Sequence, residues 1–290
     1  MFDFAKRPLY EWATRRRNQQ VIAKLEADLR GTDPLLLVHQ MGRAGSMTTT
    51  LSLRGSDVAL PVYHTHWVHP DHVAKRLARF ERVPESRHPI NVRVGRRISD
   101  ELQRDGPGRR KWNLVTVFRE PVARNISVFF LSIDVFVEDF ARRYASGELD
   151  NRELLSIFLR DFPHEQPLSW FDKEIGEMFG VDVYTSAFPM EQGYEVIRTS
   201  DVDLLLIKLE ALNSCYRDAF GAFLGVDVPE LFQTHITEVD PTRTMYKDFL
   251  REAVLPQEYL DRMYGSRFAR HFYGPDELAL LRQKWSSTQT

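Results

Sequence analysis

Residues 40–45 of this 290-residue chain, here called the anion loop, combine residue types that could bind an anion. An apolar run, Leu35 to Val38, leads through Gly42, Arg43, Ala44 and Gly45 into a polar, helix-compatible stretch that begins with Ser46, Met47 and Thr48. The run predicts a buried parallel strand, and a helix N-terminus presents unbonded N–H groups. With Arg43 as a fixed charge and two hydroxyl donors, the segment predicts a phosphate or sulfate site. The alternative is an ordinary strand-to-helix turn whose glycines serve geometry alone.

Two histidines, His64 and His66, end the next predicted strand, residues 58–66. Two residues apart on a strand, they point to the same face, and the carboxyl end of a parallel strand opens on a binding crevice. They could be one core and one solvated histidine, or a metal pair, for which no third ligand is obvious nearby. They could also supply a general base for an acceptor hydroxyl. Their position beside the anion loop favours the base.

A third set of polar residues follows the predicted strand 112–118, whose β-branched and aromatic content is typical of strands. Arg119 leaves the strand end, Pro121 can begin a helix, and Arg124 and Ser127 lie three residues apart on that helix. Two guanidinium groups and a hydroxyl could converge on one phosphate. Alternatively, both arginines pair with surface acids.

Together, these segments resemble the sulfotransferases that use 3′-phosphoadenosine 5′-phosphosulfate (PAPS). The pattern R-x-P-x-x-R with a serine eight residues after the first arginine resembles their 3′-phosphate motif, and Q-M-G-R-A-G-S resembles their 5′-phosphosulfate loop. The resemblance is nearest to bacterial sulfotransferase-like proteins described as capsular polysaccharide synthesis proteins. Those share a Q-M-G-K-x-G-S-like loop, an H-F-Y stretch, here residues 271–273, and a K-W-x-S tail, here residues 284–287.

The resemblance implies a role for each matching residue. His64-Thr65-His66 stands where cytosolic sulfotransferases have K-T-H, so His66 falls on the catalytic base and His64 on a sulfate-contacting lysine. Arg43 replaces the usual loop lysine, which keeps the charge but changes its geometry, and Met47 replaces a threonine. A late basic loop closes over the nucleotide in many sulfotransferases. The implied donor site comprises Arg43, Ala44, Gly45, Ser46, Met47, Thr48, Arg119, Arg124, Ser127, Arg267 and Arg270.

The predicted fold is α/β, a P-loop-like parallel sheet flanked by helices, with a helical C-terminal part. We expect one domain over residues 1–290, with an N-terminal helix to residue 31 and a nucleotide-binding core at 34–128. A helical acceptor-side insertion at 129–193 and the last strands and helices at 194–290 would follow. Residues 90–94 are predicted to form a short strand and Leu131 to lie in the core. Asp172 and Glu174 are predicted to be exposed helix acids or to line an acceptor pocket.

Composition narrows the functional classes. A chain with 43% hydrophobic and 28% charged residues is globular, and a net charge of −2 gives no global basic field for nucleic acid or an acidic membrane. The single cysteine, Cys215, excludes an intramolecular disulfide framework and is predicted to be a small core residue. No stretch has the length of a membrane span, and no secretory signal is recognised at the N-terminus. We therefore expect a cytoplasmic protein.

The sequence thus predicts sulfuryl transfer from PAPS to a hydroxyl of a saccharide or small-molecule acceptor, releasing 3′-phosphoadenosine 5′-phosphate (PAP), without a metal. One alternative is a P-loop-like ATP-dependent kinase, although no Lys-Ser/Thr pair of the Walker motif follows Gly45. The other is a non-catalytic component of polysaccharide assembly.

Overall fold

A five-stranded sheet organises the part of the chain that the computed structural model describes, residues 7–228, 230–232 and 241–287. The strands are β1 (Leu35–His39), β2 (Val62–Thr65), β3 (Trp112–Phe118), β4 (Tyr194–Arg198) and β5 (Val202–Lys208). Their order in the sheet is β2-β1-β3-β5-β4, and only β4 is antiparallel to its neighbour. The prediction of an α/β fold with a mainly parallel sheet is confirmed.

Helices pack against both faces of the sheet. Alternate residues of β1 enter two separate apolar clusters, Leu35 and Leu37 in one and Leu36 and Val38 in the other. Burial on both faces explains why this strand is a continuous apolar run. The helices are α1 (Arg7–Arg30), α2 (Ser46–Arg54), α3 (Pro70–Ala78), α4 (Ile90–Asp105), α5 (Pro121–Leu131), α6 (Ile133–Phe136), α7 (Phe140–Ala145), α8 (Asn151–Asp161), α9 (Gln166–Trp170), α10 (Leu212–Leu224), α11 (Pro241–Glu252), α12 (Gln257–Tyr264), α13 (Arg267–Phe272) and α14 (Pro275–Ser286).

Most predicted elements are confirmed. β3 has the predicted bounds, Pro121 begins α5, and the C-terminal part is helical. α9 continues directly into a π-helical segment, Phe171–Glu177. Cys215 is buried on α10, and burial raises the pKa of its thiol to about 11, as suits a core residue rather than a nucleophile. Within the described residues, no helix combines the length and apolar composition that crossing a membrane requires.

The predicted strand at residues 90–94 is wrong, because this segment begins helix α4. Alternating Val92 and Val94 favour a strand locally, but the buried Val94, Ile98 and Leu102 recur every four residues and form a helical face. Helix α4 packs against α3 and the end of β2. Tertiary packing therefore overrides the local β-propensity.

Gly95 allows α4 to approach the end of β2 closely. A Cβ atom at this position would lie 2.2 Å from the Trp67 carbonyl oxygen and 2.5 Å from Thr65 Oγ1. That hydroxyl donates to the Asn91 carbonyl oxygen on the same helix at 2.9 Å. The absent side chain is therefore what lets α4 hold the backbone on either side of His66.

We expect Gly95→Ala to lower the free energy of unfolding by about 1–3 kcal/mol, because the added methyl group overpacks a rigid backbone contact. Gly221 on α10 is the matched control, since a Cβ atom there meets nothing within 4 Å. Gly221→Ala should raise the free energy of unfolding by about 0.4–1 kcal/mol. Urea unfolding of both variants measures the difference, and equal stabilities would contradict the close approach.

Candidate functional site

The anion loop joins β1 to α2 through two residues with positive φ. Arg43 has φ of 71° and Gly45 has φ of 78°. Glycine adopts this conformation freely, whereas arginine rarely does, and such strain concentrates at ligand sites. Gln40 Nε2 donates to the Ala44 carbonyl oxygen at 2.7 Å and closes the turn. Gly45, the N-cap residue of α2, has no side chain that could bond the first N–H groups of the helix, a setting that suits an anion.

Arg43 connects this loop to the segment that follows β3. Its Nε donates to Ser127 Oγ at 2.8 Å, across 84 residues of sequence. Arg119 Nη1 donates to the Arg43 carbonyl oxygen at 3.4 Å. The two predicted halves of the anion site are therefore in direct contact. Burial lowers the pKa of Arg43, and the charge of Arg119 lowers it further.

A cavity of about 640 Å³ opens beside the loop. The loop, the start of α2 and His66 contribute to its lining. Residues of α3 to α6 and of the segment around α9 complete the lining. The lining residues are Gly42, Arg43, Gly45, Ser46, Met47, Thr48, His66, Trp67, Arg76, Arg79, Asn91, Arg124, Val128, Leu131, Ser132, Val135, Phe136, Phe162, Pro163 and Gln166. This volume is within the usual range for small-molecule sites.

His66 lies immediately after β2 and lines the cavity. Its Nδ1 is 2.7 Å from the Gln40 carbonyl oxygen. Because a carbonyl oxygen only accepts, Nδ1 carries the proton, and Nε2 of the neutral ring holds a lone pair. Burial lowers the pKa of His66 to about 4, and the positive charges of Arg76 and Arg124 add to this effect. The ring is therefore neutral at neutral pH, in the tautomer that lets Nε2 accept a proton.

Arg124 is fully buried in the cavity wall. It donates to Asn125 Oδ1 at 3.0 Å and to Gln166 Oε1, and its Nε has no hydrogen-bond partner. Burial lowers its pKa to about 9. Within the described residues, neither Arg124 nor Arg119 lies within ion-pair distance of a carboxylate. Pairing with surface acids, the alternative for these arginines, is not what the structure contains.

Two arginines that sequence reasoning missed, Arg76 and Arg79, also line the cavity. They lie three residues apart at the end of α3, so both point to one side of the helix. The sequence signal was an R-x-x-R pattern on the helix after the two histidines. No aspartate or glutamate is among the lining residues of the described chain. The cavity therefore combines four arginines with one neutral histidine.

The remaining predicted site residues are distributed differently. Ala44 is buried within the turn. His64 packs edge-on against His66, with ring centroids 4.6 Å apart, and burial lowers its pKa, but it does not line the cavity. Arg267 lies over the Tyr184 ring, near two surface carboxylates, and Arg270 is exposed. Neither of these late arginines lines the cavity, and their role over a nucleotide stays a prediction.

Glu174 is neither exposed nor part of the cavity wall, which corrects the expectation for it. Its side chain is fully buried, and one oxygen accepts from the N–H groups of Val68 at 2.6 Å and His69 at 3.0 Å. The other oxygen is 2.5 Å from His72 Nδ1. Burial opposes ionisation, but the hydrogen bonds with His39 and His72 outweigh it and lower the pKa of Glu174 to about 2. This carboxylate fixes the chain that follows His66.

Glu120 supports the other end of the site. Its carboxylate accepts from the N–H groups of Val122 and Ala123, both at 2.8 Å, and so caps α5. It also accepts from Tyr264 Oη at 3.1 Å and Trp285 Nε1 at 3.3 Å. Four donors thus converge on one buried carboxylate beside Arg119. The tryptophan of the K-W-x-S tail therefore helps to hold the segment after β3.

A second contact links the H-F-Y stretch to the same segment. The Glu120 N–H group donates to Glu210 Oε1 at 3.1 Å, and Tyr273 Oη donates to Glu210 Oε2 at 3.3 Å. Within the described residues, no three His, Cys, Asp or Glu side chains form a group that could hold a metal ion.

Comparison with known proteins gives one partial match. A family model described as "NKWYS: Putative capsular polysaccharide synthesis protein" matches residues 151–274. The matched region contains several residues that support the site, including Glu174, Glu210 and Tyr264, whereas the anion loop, His66 and Arg119 lie outside it. The match thus supports a relation to capsular polysaccharide synthesis. No curated protein and no solved structure matches the chain.

The neutral state of His66 predicts a specific pH dependence. In the free protein its ring should titrate near pH 4. The unfolded chain binds this proton near pH 6.5. His66 therefore contributes stability that is present above about pH 6.5 and is lost as the pH falls toward 4. Titration of the ring proton signals by NMR, assigned with His66→Gln, measures the pKa. A value near 6.5 would contradict the buried, carbonyl-bonded ring.

Because four donors surround the Glu120 carboxylate, we expect that even its replacement by the isosteric glutamine destabilises the fold. Glu120→Gln replaces one acceptor oxygen by an NH₂ group facing buried donors, so we expect a loss of about 1–3 kcal/mol in the free energy of unfolding. Glu148, an exposed partner of Arg142, is the control, and Glu148→Gln should leave stability essentially unchanged. Chemical denaturation checks both. Equal changes in the free energy of unfolding of the two variants would show that the Glu120 contacts do not stabilise the fold.

Proposed function

We propose that this protein is a PAPS-dependent sulfotransferase that acts on a hydroxyl of a saccharide or small-molecule acceptor. The observation that carries the proposal is the hydrogen bond from Arg43 Nε to Ser127 Oγ. It joins the segment that resembles a 5′-phosphosulfate loop to the segment that resembles a 3′-phosphate motif. The proposal includes a cytoplasmic location and no metal requirement.

The residues present fit a donor of this kind. The uncapped start of α2, Arg43 and Ser46 offer N–H groups, a positive charge and a hydroxyl at the place where the phosphosulfate would lie. Arg119, directly after β3, and Ser127, on α5, would hold the 3′-phosphate beside the cavity, whose lining includes neither residue. Arg124 adds a guanidinium group whose Nε has no hydrogen-bond partner. Among the described residues, no carboxylate lines the cavity.

The proposed step is an in-line displacement at sulfur. The acceptor oxygen forms a bond to sulfur, the bond from sulfur to the 5′-phosphate oxygen breaks, and PAP leaves with that electron pair. The acceptor proton goes to His66 Nε2, whose lone pair is left by the hydrogen bond of Nδ1 to Gln40. His66 thus serves as a general base, while the arginines and loop N–H groups stabilise charge that develops on the leaving phosphate.

The low pKa of His66 suits this role only with the donor bound. Burial is the main reason that the imidazolium is disfavoured, and the positive charges of Arg76 and Arg124 disfavour it further. A bound polyanion would cancel that charge and raise the pKa of the ring toward the range that favours general-base catalysis. Proton acceptance would then depend on prior binding of the donor.

One alternative is favoured by a specific observation. The matched family region covers residues that support the site and none of the proposed catalytic residues. A non-catalytic component of polysaccharide assembly would also satisfy that match. It would keep the fold and would show no sulfuryl transfer.

Calorimetric titration with PAP tests the nucleotide. We expect binding that Arg119→Ala weakens by about tenfold or more, the usual cost of losing a charged hydrogen bond. Arg160, an exposed residue paired with Asp161, is the matched control, and Arg160→Ala should bind PAP like the parent. ATP and ADP are titrated in parallel with and without Mg²⁺. Magnesium-dependent ATP binding without PAP binding would replace the proposal by a kinase.

The same preparations separate catalysis from binding. His66→Gln should keep PAP affinity and lose most of the transfer of labelled sulfate from PAPS to a mixture of saccharide acceptors. Full activity of this variant would show that another group is the base. Binding of neither nucleotide would favour the non-catalytic component.

A further inference from the structure

The cavity holds a cluster of positive charge that the donor alone does not explain. Ion pairs with carboxylates are common among the arginines of the described chain, as for Arg97, Arg110 and Arg198. Within that part, the four cavity arginines, Arg43, Arg76, Arg79 and Arg124, have no such partner. Unpaired cations that share one cavity repel one another, so the site favours anionic ligands.

The arginines divide between two sides of the anion loop. Arg43 is bonded to Ser127 on the β3 side, where the proposed 3′-phosphate site lies. Arg76 and Arg79 lie at the end of α3, which follows β2, and β2 is separated from β3 by β1. His66, between β2 and α3, marks the place of the acceptor hydroxyl. Arg76 and Arg79 are therefore on the acceptor side of the cavity.

The setting of Arg76 is not that of an ordinary surface arginine. A basic residue in the last turn of a helix is favourable by itself, because it offsets the helix dipole. That effect does not require the side chain to leave water, yet Arg76 Nε is buried without a hydrogen-bond partner. Arg79, beside it, also lines the cavity. Two adjacent guanidinium groups without an acceptor form a site for a carboxylate or phosphate.

The mouth of the cavity is apolar and exposed. Leu131, predicted to lie in the core, is instead 67% exposed, and Val135 is 66% exposed. Met47, across the cavity at the start of α2, is 50% exposed. All three line the same cavity as the arginines. Exposed apolar side chains grouped at a cavity mouth are typical of surfaces that bind the apolar part of a ligand.

We infer that the acceptor is an acidic saccharide with an apolar aglycone, which places its acidic group against Arg76 and Arg79 and extends its aglycone across the cavity to Leu131 and Val135, at the end of α5 and in α6. This inference rests on the proposed function, because His66 and the donor define where the acceptor hydroxyl lies. The acid and the apolar chain are two parts of one ligand. Each part faces the surface that matches its chemistry.

Binding to the PAP-saturated protein tests the inference with four matched probes. These are methyl and hexyl β-D-glucoside and methyl and hexyl β-D-glucuronide, measured by calorimetry. Hexyl glucuronide should bind about tenfold or more tightly than hexyl glucoside, because an acid gains charged hydrogen bonds. It should also bind about tenfold or more tightly than methyl glucuronide, because the longer chain buries more apolar surface.

Two double variants assign these preferences to residues. Arg76→Ala with Arg79→Ala should abolish the preference for the acid and weaken PAP binding less than Arg119→Ala does. Arg82→Ala, at an exposed position outside the cavity, is its control. Leu131→Ser with Val135→Ser should abolish only the preference for the hexyl chain. Leu280→Ser is its control, since Leu280 is 66% exposed on α14.

The outcomes separate the two proposals. PAP binding together with equal affinities for the acidic and neutral hexyl probes, or with binding of neither, overturns the acidic acceptor and leaves the sulfotransferase. Preferences that persist in the double variants overturn the assignment to these residues. Failure of PAP to bind overturns the proposed function and the inference with it. Tight binding of hexyl glucuronide that both double variants weaken selectively supports the inference.

Discussion

The parallel pairing of β1 with a strand on each side is the constraint from which the site follows. Val38 is aligned with His64 of β2 and with Val115 of β3, so the three strands end at one edge of the sheet. This register places His66 beside Gln40, where the ring bonds the loop backbone. It also brings Arg119 to the carbonyl oxygen of Arg43. Segments separated by 84 residues are thereby brought into direct contact.

Two buried carboxylates keep these strand ends in place. Glu120 caps α5 and accepts from Tyr264 and Trp285, and Glu174 accepts from two N–H groups of the chain after His66. Each carboxylate replaces water by several donors, which is the condition under which a buried charge is tolerated. The C-terminal tail, more than 150 residues from the anion loop in sequence, therefore acts on the loop after β3 through a hydrogen-bond network. This arrangement explains how the K-W-x-S tail can stabilise a site whose cavity it does not line.

Sequence reasoning succeeded where local signals and burial agree. Local sequence is enough to predict the strand from the apolar run of β1, the start of α5 from its proline, and the turn from its glycines. The parallel topology then brings these elements together at one edge of the sheet. It failed where the outcome depends on distant partners. The segment 90–94 has a strand-like alternation, and only its packing through Gly95 against β2 makes it a helix. Leu131 resembles its buried phenylalanine neighbours, and only the position of the cavity leaves it exposed.

The two buried carboxylates lie outside the cavity, whereas the arginines line it. Glu120 and Glu174 accept from backbone and side-chain donors outside the cavity, and within the described residues Arg43, Arg76 and Arg124 have no carboxylate partner. Such an arrangement lowers stability, because the arginines are desolvated and repel one another. An anion that binds only the folded chain restores that stability by mass action. The same repulsion that lowers the stability of the free protein then contributes to its affinity for the anion.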